Sequence, residues 1–292
     1  MTAPTPLHES RQLGALRIHA LQAGGVHLDG GAMFGVVPKT LWERRIPADA
    51  KNRIAMGMRC LLIEHSDGLV LLDTGLGNKE DAKFHEIYGI EAEVPGHRTM
   101  LHAALAAAGF SASDVKVVIN SHLHFDHAGG NTSLNEAGEV VPTFANARYL
   151  VHAGEMHYAT HTNERTGASY FTRNWDVLKA TGQLELVQDG VELLPGIRMR
   201  PTPGHTPHHQ SILIESAGET AVFLADICPT AAHVPLAWIM GYDVEPLVTL
   251  ESKRALWKDV VEGGWMVVFE HDATHSFGKI VVGAKAHEFV SG

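Results

Sequence analysis

Cysteine is nearly absent from this chain: Cys60 and Cys228 are the only two among 292 residues. Two thiols are too few for a disulfide framework, so a packed core has to hold the fold. Long apolar runs are missing too, and no stretch approaches the roughly 18 residues of a membrane-spanning helix. The segment Met1–Gly14, with Pro4 and Pro6 among polar residues, lacks the apolar centre of a secretory signal. A cytoplasmic protein with no membrane partner is therefore expected. Basic charge is scarce: 23 Lys and Arg stand against 33 Asp and Glu, a formal net charge of −10. That balance argues against a nucleic-acid partner, which needs clustered cations. No Gly-x-Ser-x-Gly elbow is present, so no serine nucleophile of that type is expected. Repeats, linkers and low-complexity tracts are also missing. Residues 1–292 read as a single domain, with residues 1–16 as an N-terminal arm.

Histidine, in contrast, is plentiful, with 20 in the chain, and 45% of residues are hydrophobic, enough for a substantial core. The histidines are not scattered evenly. His122-Leu123-His124-Phe125-Asp126-His127 places three imidazoles and a carboxylate in six consecutive positions, after the apolar run Val115–Ile119. Imidazole and carboxylate together suit zinc and other borderline divalent metals. A solvated polar loop has no need of this pattern behind a buried strand. Gly129-Gly130 follows, where the backbone is free to turn tightly.

Three further donors end apolar runs downstream: His205 in Pro201-Thr202-Pro203-Gly204-His205, Asp226 after Ala221–Ala225, and His271 after Trp265–Glu270. Such runs bounded by turn residues read as buried strands. Donors at strand ends line up along one edge of a sheet, where loops gather them into a cleft.

With these motifs in hand, the chain resembles the metallo-β-lactamase-fold hydrolases. Leu72-Asp73-Thr74-Gly75, the His122–His127 cluster, Gly204-His205-Thr206, Asp226 and His271 follow that family's order. The resemblance implies an α/β fold, an αββα sandwich of two mixed β-sheets flanked by helices. It also implies two divalent ions per chain, zinc first, with iron, cobalt or manganese as alternatives. By the family pattern His122, His124 and His205 hold one ion. Asp126, His127 and His271 hold the other, and Asp226 bridges the two. Asp73 corresponds to a buried aspartate that orients ligands from beneath. His127 favours the lactonase and glyoxalase-type branches. Cys228 is either a further thiolate ligand or a small packed side chain.

A narrower resemblance, to the YtnP-type quorum-quenching lactonases, rests on Leu28–Trp42, Ala225–His233 and Trp238–Asp243. It implies opening of lactone rings, N-acyl homoserine lactones first, by a hydroxide shared between the metals. Asp126 and Asp226 are the candidate proton relays. Many lactonases carry a tyrosine three positions after the bridging aspartate, where Pro229 stands here. His233 and Tyr242 are the candidates to replace it. Two other readings use the same fold: a promiscuous esterase or organophosphate hydrolase, and a mononuclear-iron sulfur oxidoreductase.

The rest of the chain supplies the frame. Cys60–Glu64 and Leu69–Asp73 are expected to form a hairpin about Ser66-Asp67-Gly68. Helices are expected over Thr99–Gly109, from Ala153 to Thr160, and around Glu251–Glu262. A first strand is expected near Leu16–Ala20. Phe34–Asn52 is poorly periodic and reads as a pocket wall, a homodimer contact or a loop packed on the core. Met33, Phe34, Trp42, Trp238 and Met240 are the candidates to receive the acyl tail of a small lactone or ester substrate.

Overall fold

The computed structural model describes residues 6–292. The chain opens with β1 (His8–Leu13), β2 (Leu16–Asp29), β3 (Arg53–His65), β4 (Gly68–Leu72) and β5 (Val115–Ile119). β6 (Thr132–Leu134) and β7 (Val140–Pro142) pair only with each other. β8 (Arg148–His152) and β9 (Leu184–Val187) then complete a seven-stranded sheet in the order β1-β2-β3-β4-β5-β8-β9. The second half of the chain supplies β10 (Glu192–Leu194), β11 (Ile197–Pro201), β12 (Gln210–Ser216) and β13 (Glu219–Phe223). After a helix come β14 (Met266–Val268), β15 (Phe277–Val282) and β16 (His287–Ser291), and these seven form the second sheet in chain order.

Alternation along the strands decides which face each side chain covers. Leu61, Ile63, Val70 and Leu72 meet Ile212, Ile214, Ala221, Phe223 and Val268 between the sheets. Their neighbours in sequence point the other way. Cys60, Leu62 and Leu71 pack outward on Leu101, Ala104 and Leu105 of helix Met100–Ala107. Leu213, Val222 and Val267 pack outward on Leu256, Trp257 and Val260 of helix Pro246–Gly263. Both faces of both sheets are apolar, which is why the strands read as continuous hydrophobic runs. Each fully buried Leu, Ile, Val or Phe among them contributes about 1.5–3 kcal/mol. The result is the αββα layering that the sequence implied.

The parallel pairs matter most for function. β4, β5, β8 and β9 run parallel, and so do β13 and β14. Parallel neighbours need a crossover, supplied by helix Met100–Ala107 between β4 and β5 and by helix Pro246–Gly263 between β13 and β14. The C-terminal ends of β4, β5, β13 and β14 therefore point the same way within each sheet. Asp73, the His122–His127 cluster, Asp226 and His271 follow those four ends.

The hairpin joins β3 to β4 with His65 opposite Gly68. Thr99 caps helix Met100–Ala107, its side chain accepting from the His102 amide, and Gly109 takes φ +89° just beyond the helix end. The helix over Ala153–Thr160 forms as expected. Two expectations need correction. Residues 8–13 of the anticipated arm are strand β1, in register with Leu16–Leu21 of β2, because the backbone finds a full antiparallel ladder there. Residues 1–5 of that arm lie outside the described residues. The last long helix begins at Pro246, earlier than its apolar stripe, since proline suits a first helical turn. Among the described residues no helix is long and apolar enough to cross a membrane.

Candidate metal centre

Directly beyond β4, Asp73 takes a left-handed backbone conformation (φ 53°) that few side-chain-bearing residues adopt. Its carboxylate accepts from the Ser121 amide (2.8 Å), the Ser121 hydroxyl (2.6 Å) and Nδ1 of His127 (3.1 Å). The strained turn after one strand thus grips the cluster after the next. Strain of this kind costs about 1–3 kcal/mol and persists only when surrounding contacts hold it. The glycines after the cluster serve close approach more than turning. Gly129 has an ordinary φ of −59°, and a Cβ there would lie 2.3 Å from the Leu76 carbonyl oxygen. A Cβ on Gly130 would lie 2.1 Å from that of Thr74.

The seven donors singled out in the sequence converge. One group comprises His122, His124, His205 and Asp226, and another comprises Asp126, His127 and His271, the donor atoms of each lying within 4.8 Å of one another. Nε2 of His122 and of His205 stand 3.1 and 3.0 Å from Nδ1 of His124. Nε2 of His271 stands 3.2 Å from Nε2 of His127. Asp226 faces both groups, with Oδ2 3.0 Å from His205 and Oδ1 3.0 Å from His271.

The outer ring nitrogens fix the tautomers. His205 Nδ1 donates to Oδ1 of Asp243 (2.9 Å), and His271 Nδ1 donates to the Gly57 carbonyl (2.8 Å). His122 Nδ1 donates to the Ser121 hydroxyl (3.1 Å), which itself donates to Asp73. That leaves lone pairs on the inner nitrogens of His122, His127, His205 and His271, and those of His127 and His271 point at each other. Such an arrangement is repulsive unless a cation or a proton lies between. Oδ1 of Asp226 is buried without a hydrogen-bond partner, as expected of an atom built for a cation. The donor set of imidazoles and carboxylates fits two zinc-type ions.

Beside Asp226, at His205 and His271, a proton takes that place when metal is absent. Burial alone would lower His205 and His271, yet the Asp226 carboxylate outweighs it and raises them to about 10 and about 9. Burial holds His122 and His124 well below the ordinary imidazole value. Asp226 is kept well below the carboxylate range despite its burial, because three imidazoles surround it. Proton and metal therefore compete for one set of atoms.

Four supporting residues escaped the sequence reading. Asp243 orients His205 and is itself held by the Thr249 hydroxyl (2.7 Å). Glu155 accepts from the Leu123 amide, the Tyr170 hydroxyl and the Thr206 hydroxyl, tying the His cluster to the His205 loop. His209, lowered to about 3 by burial, accepts the Asp226 amide at Nε2 (3.1 Å). That bond secures the backbone next to Ala225, another left-handed residue (φ 47°). Glu270 lies fully buried behind His127, its carboxyl pushed up to about 8 by burial against the opposing charge of His127. No spacing rule could have marked these four, since each partner is remote in sequence.

A cleft of about 410 Å³ opens over the donors and is lined by Leu28, Met33, Met56, Tyr88, Phe125, Arg165, Met240 and Tyr242. Met33, Met240 and Tyr242, candidates from the sequence, are thus among its lining residues. Phe34, Trp42, Trp238 and His233 do not line it. Phe34 stacks on His233 (4.4 Å between ring centroids) and Trp42 (5.2 Å), with the Trp238 edge at 5.7 Å. These rings form a layer behind the pocket wall, where an apolar insertion gains most by burial. His233 has both nitrogens occupied, Nε2 donating to the Met33 carbonyl (2.9 Å) and Nδ1 accepting from the Thr230 hydroxyl (2.8 Å). It cannot stand in for a catalytic tyrosine. Lys253, buried and lowered to about 8 by that burial, clamps the same loop by donating to the carbonyls of His233, Pro235 and Trp238. Cys228 is fully buried, with its thiol 3.5 Å from the Thr230 carbonyl oxygen, and belongs to neither donor group.

The Metallo-beta-lactamase superfamily model matches residues 59–262. The chain belongs to this superfamily. It is accordingly a metal-dependent hydrolase, with the His and Asp metal-binding groups gathered at one cleft. It is 30% identical over 230 residues to an N-acyl homoserine lactonase of a Bacillus species, covering 75% of this chain and 82% of that one. An N-acyl homoserine lactonase of Bacillus cereus is 28% identical over 237 residues, 78% of this chain and 86% of the relative. A probable metal-dependent hydrolase from Staphylococcus aureus superimposes with a TM-score of 0.85 at 31% identity, over 97% of this chain and 99% of the other. The dizinc quorum-quenching lactonase AidC shares the metallo-beta-lactamase fold at a TM-score of 0.79 and 22% identity, over 98% and 97% of the two chains.

Proposed function

We propose that this protein, folded as one domain, is a dinuclear-metal lactonase whose substrates are N-acyl homoserine lactones, a quorum-quenching activity. The observation that carries the reading is Asp226, whose two oxygens face two separate sets of imidazoles beneath an apolar cleft. His122, His124 and His205 would hold one ion and Asp126, His127 and His271 the other, with Asp226 available to both. Zinc suits every donor. When bound, the ions supply a water nucleophile at neutral pH and polarise the scissile carbonyl. The lactonase names of the Bacillus relatives support the choice of substrate.

The chain's own residues do the rest. Asp73, Asp243 and the Gly57 carbonyl fix the imidazole tautomers, so the inner nitrogens present lone pairs without reorganisation. Asp126, with 14% of its side chain exposed, is the donor carboxylate most open to the cleft; it would take the proton given up by the attacking water and return it to the leaving alkoxide. Tyr242 lines the cleft, and burial raises its phenol to about 12, so it stays protonated and donates to a substrate oxygen. It takes the place that Pro229 leaves without a phenol. Met33, Met56 and Met240 receive the acyl chain, and unbranched methionine adapts to chains of different length.

The test is ring opening of N-acyl homoserine lactones by the zinc-loaded protein, followed as acid release, beside aryl esters and phosphotriesters. A kcat/KM for the lactones at least tenfold above the others is expected. Phosphotriester preference would make it an organophosphate hydrolase, and no turnover would remove the assignment. EDTA treatment should abolish activity, and zinc should restore it.

A further inference from the structure

Behind the second donor group lies a carboxyl group with no evident use. Glu270 is fully buried, and neither of its oxygens has a hydrogen-bond partner. Its Oε2 stands 3.0 Å from Nδ1 of His127, but off the direction of the N–H, which points to Asp73. Asp73 is fully engaged by Ser121 and His127, whereas Glu270 faces the His127 ring without accepting a hydrogen bond. Arg59, also buried, donates past it to the Phe269 and Asp272 carbonyls. The backbone of this segment is independently held, since the Arg59 amide donates to the Glu270 carbonyl and the Gly57 amide to that of His271. The Glu270 side chain is therefore not what places His271.

Leaving a carboxyl buried without donors is costly, and an apolar residue of similar length would avoid that cost. The group becomes useful only if positive charge arrives on the far side of the imidazole. We propose that Glu270 is a positioning residue for the second cation, its charge behind His127 strengthening that imidazole as a ligand and balancing the ion. Two divalent ions then face Asp73, Asp126, Asp226 and Glu270, four carboxylates whose summed charge matches that of the ions. The assignment rests on the two-ion reading of the centre, and its test does not depend on turnover.

The experiment compares wild type with Glu270→Gln and Glu270→Met, stripped with chelator and titrated with zinc. Zinc per chain, the affinity of each site by competition with a chelating dye, and the melting temperature of the stripped proteins are read out. Wild type should bind two zinc ions. Both variants should keep the first with unchanged affinity and bind the second at least ~10-fold more weakly. Stripped Glu270→Met should melt about 2 °C or more above stripped wild type, which a merely structural role would not produce. Two ions bound by the variants at wild-type affinity would overturn the proposal. So would failure of both variants to fold, or a third zinc in wild type that the variants lose, which would make Glu270 a ligand. Fewer than two ions in wild type would instead refute the two-ion reading itself.

Discussion

Nδ1 of His205 lies 2.9 Å from Oδ1 of Asp243, a carboxylate 38 residues away that the Thr249 hydroxyl holds in turn. The pair turns an ordinary loop histidine into a fixed donor, because the proton on Nδ1 leaves Nε2 free to face the cleft. Asp243→Asn keeps an acceptor but loses the charge. The affinity of the first ion should fall on the order of 10–100-fold, with the second ion held more nearly as before. Zinc titration of the stripped variant checks this, and an unchanged first affinity would refute the role.

The second group predicts a different loss. Asp126→Ala or His127→Ala should reduce bound zinc from two ions to one and lower kcat/KM on the order of 100-fold or more. Cys228→Ala should keep both ions, since its thiol packs beside the Thr230 carbonyl outside the donor groups. Elemental analysis separates the cases. Loss of an ion from Cys228→Ala would restore the thiol as a ligand.

His233 gives a pH signature. Burial lowers it to about 3, while an unfolded imidazole titrates near ~6.5. Between those values the unfolded chain binds the extra proton. The stability tied to a neutral His233 is thus complete above about pH 6.5 and declines as pH falls toward 3, by up to about 1.4 kcal/mol per pH unit. His233→Gln removes this titration. Urea denaturation at pH 7 and pH 5 should show the stability gap between zinc-loaded wild type and variant narrowing at the lower pH. A constant gap would contradict it.

The pocket wall and the layer behind it should respond differently. Met240→Trp, in the cleft, should raise KM for long-chain lactones and cost about 1–3 kcal/mol of stability, since Met240 is buried on the side away from the cleft. Trp42→Ala should cost about 3–5 kcal/mol of stability, because its ring is fully buried against Phe34 and the face of Gly30. Calorimetry beside chain-length kinetics distinguishes them. A chain-length effect confined to the Trp42 variant would reverse the assignment of wall and backing.

Local chemistry makes the donors legible in the sequence. His122 to His127 declare themselves by residue type and spacing, and His205, Asp226 and His271 by ending apolar runs. The sandwich itself is legible because its strands are buried on both faces and so lack polar alternation. Both signals are carried by neighbours along the chain.

What stays hidden depends on contacts across it. Asp243, Glu155, His209 and Glu270 act through partners remote in sequence, such as Tyr170 for Glu155 and His127 for Glu270. Phe34, Trp42 and Trp238 look like pocket residues because apolar residues near a binding motif do, yet Phe34 and Trp42 stack inward and Trp238 meets Phe34 edge-on outside the cleft lining. His233 loses its candidacy to two hydrogen bonds that no spacing foretells. By itself the sequence determined the fold class and the seven candidate donors, because residue type and strand periodicity are local properties. Only the tertiary structure decided which groups orient those donors and which side chains reach the cleft, because a side chain's environment is set by segments distant in the chain.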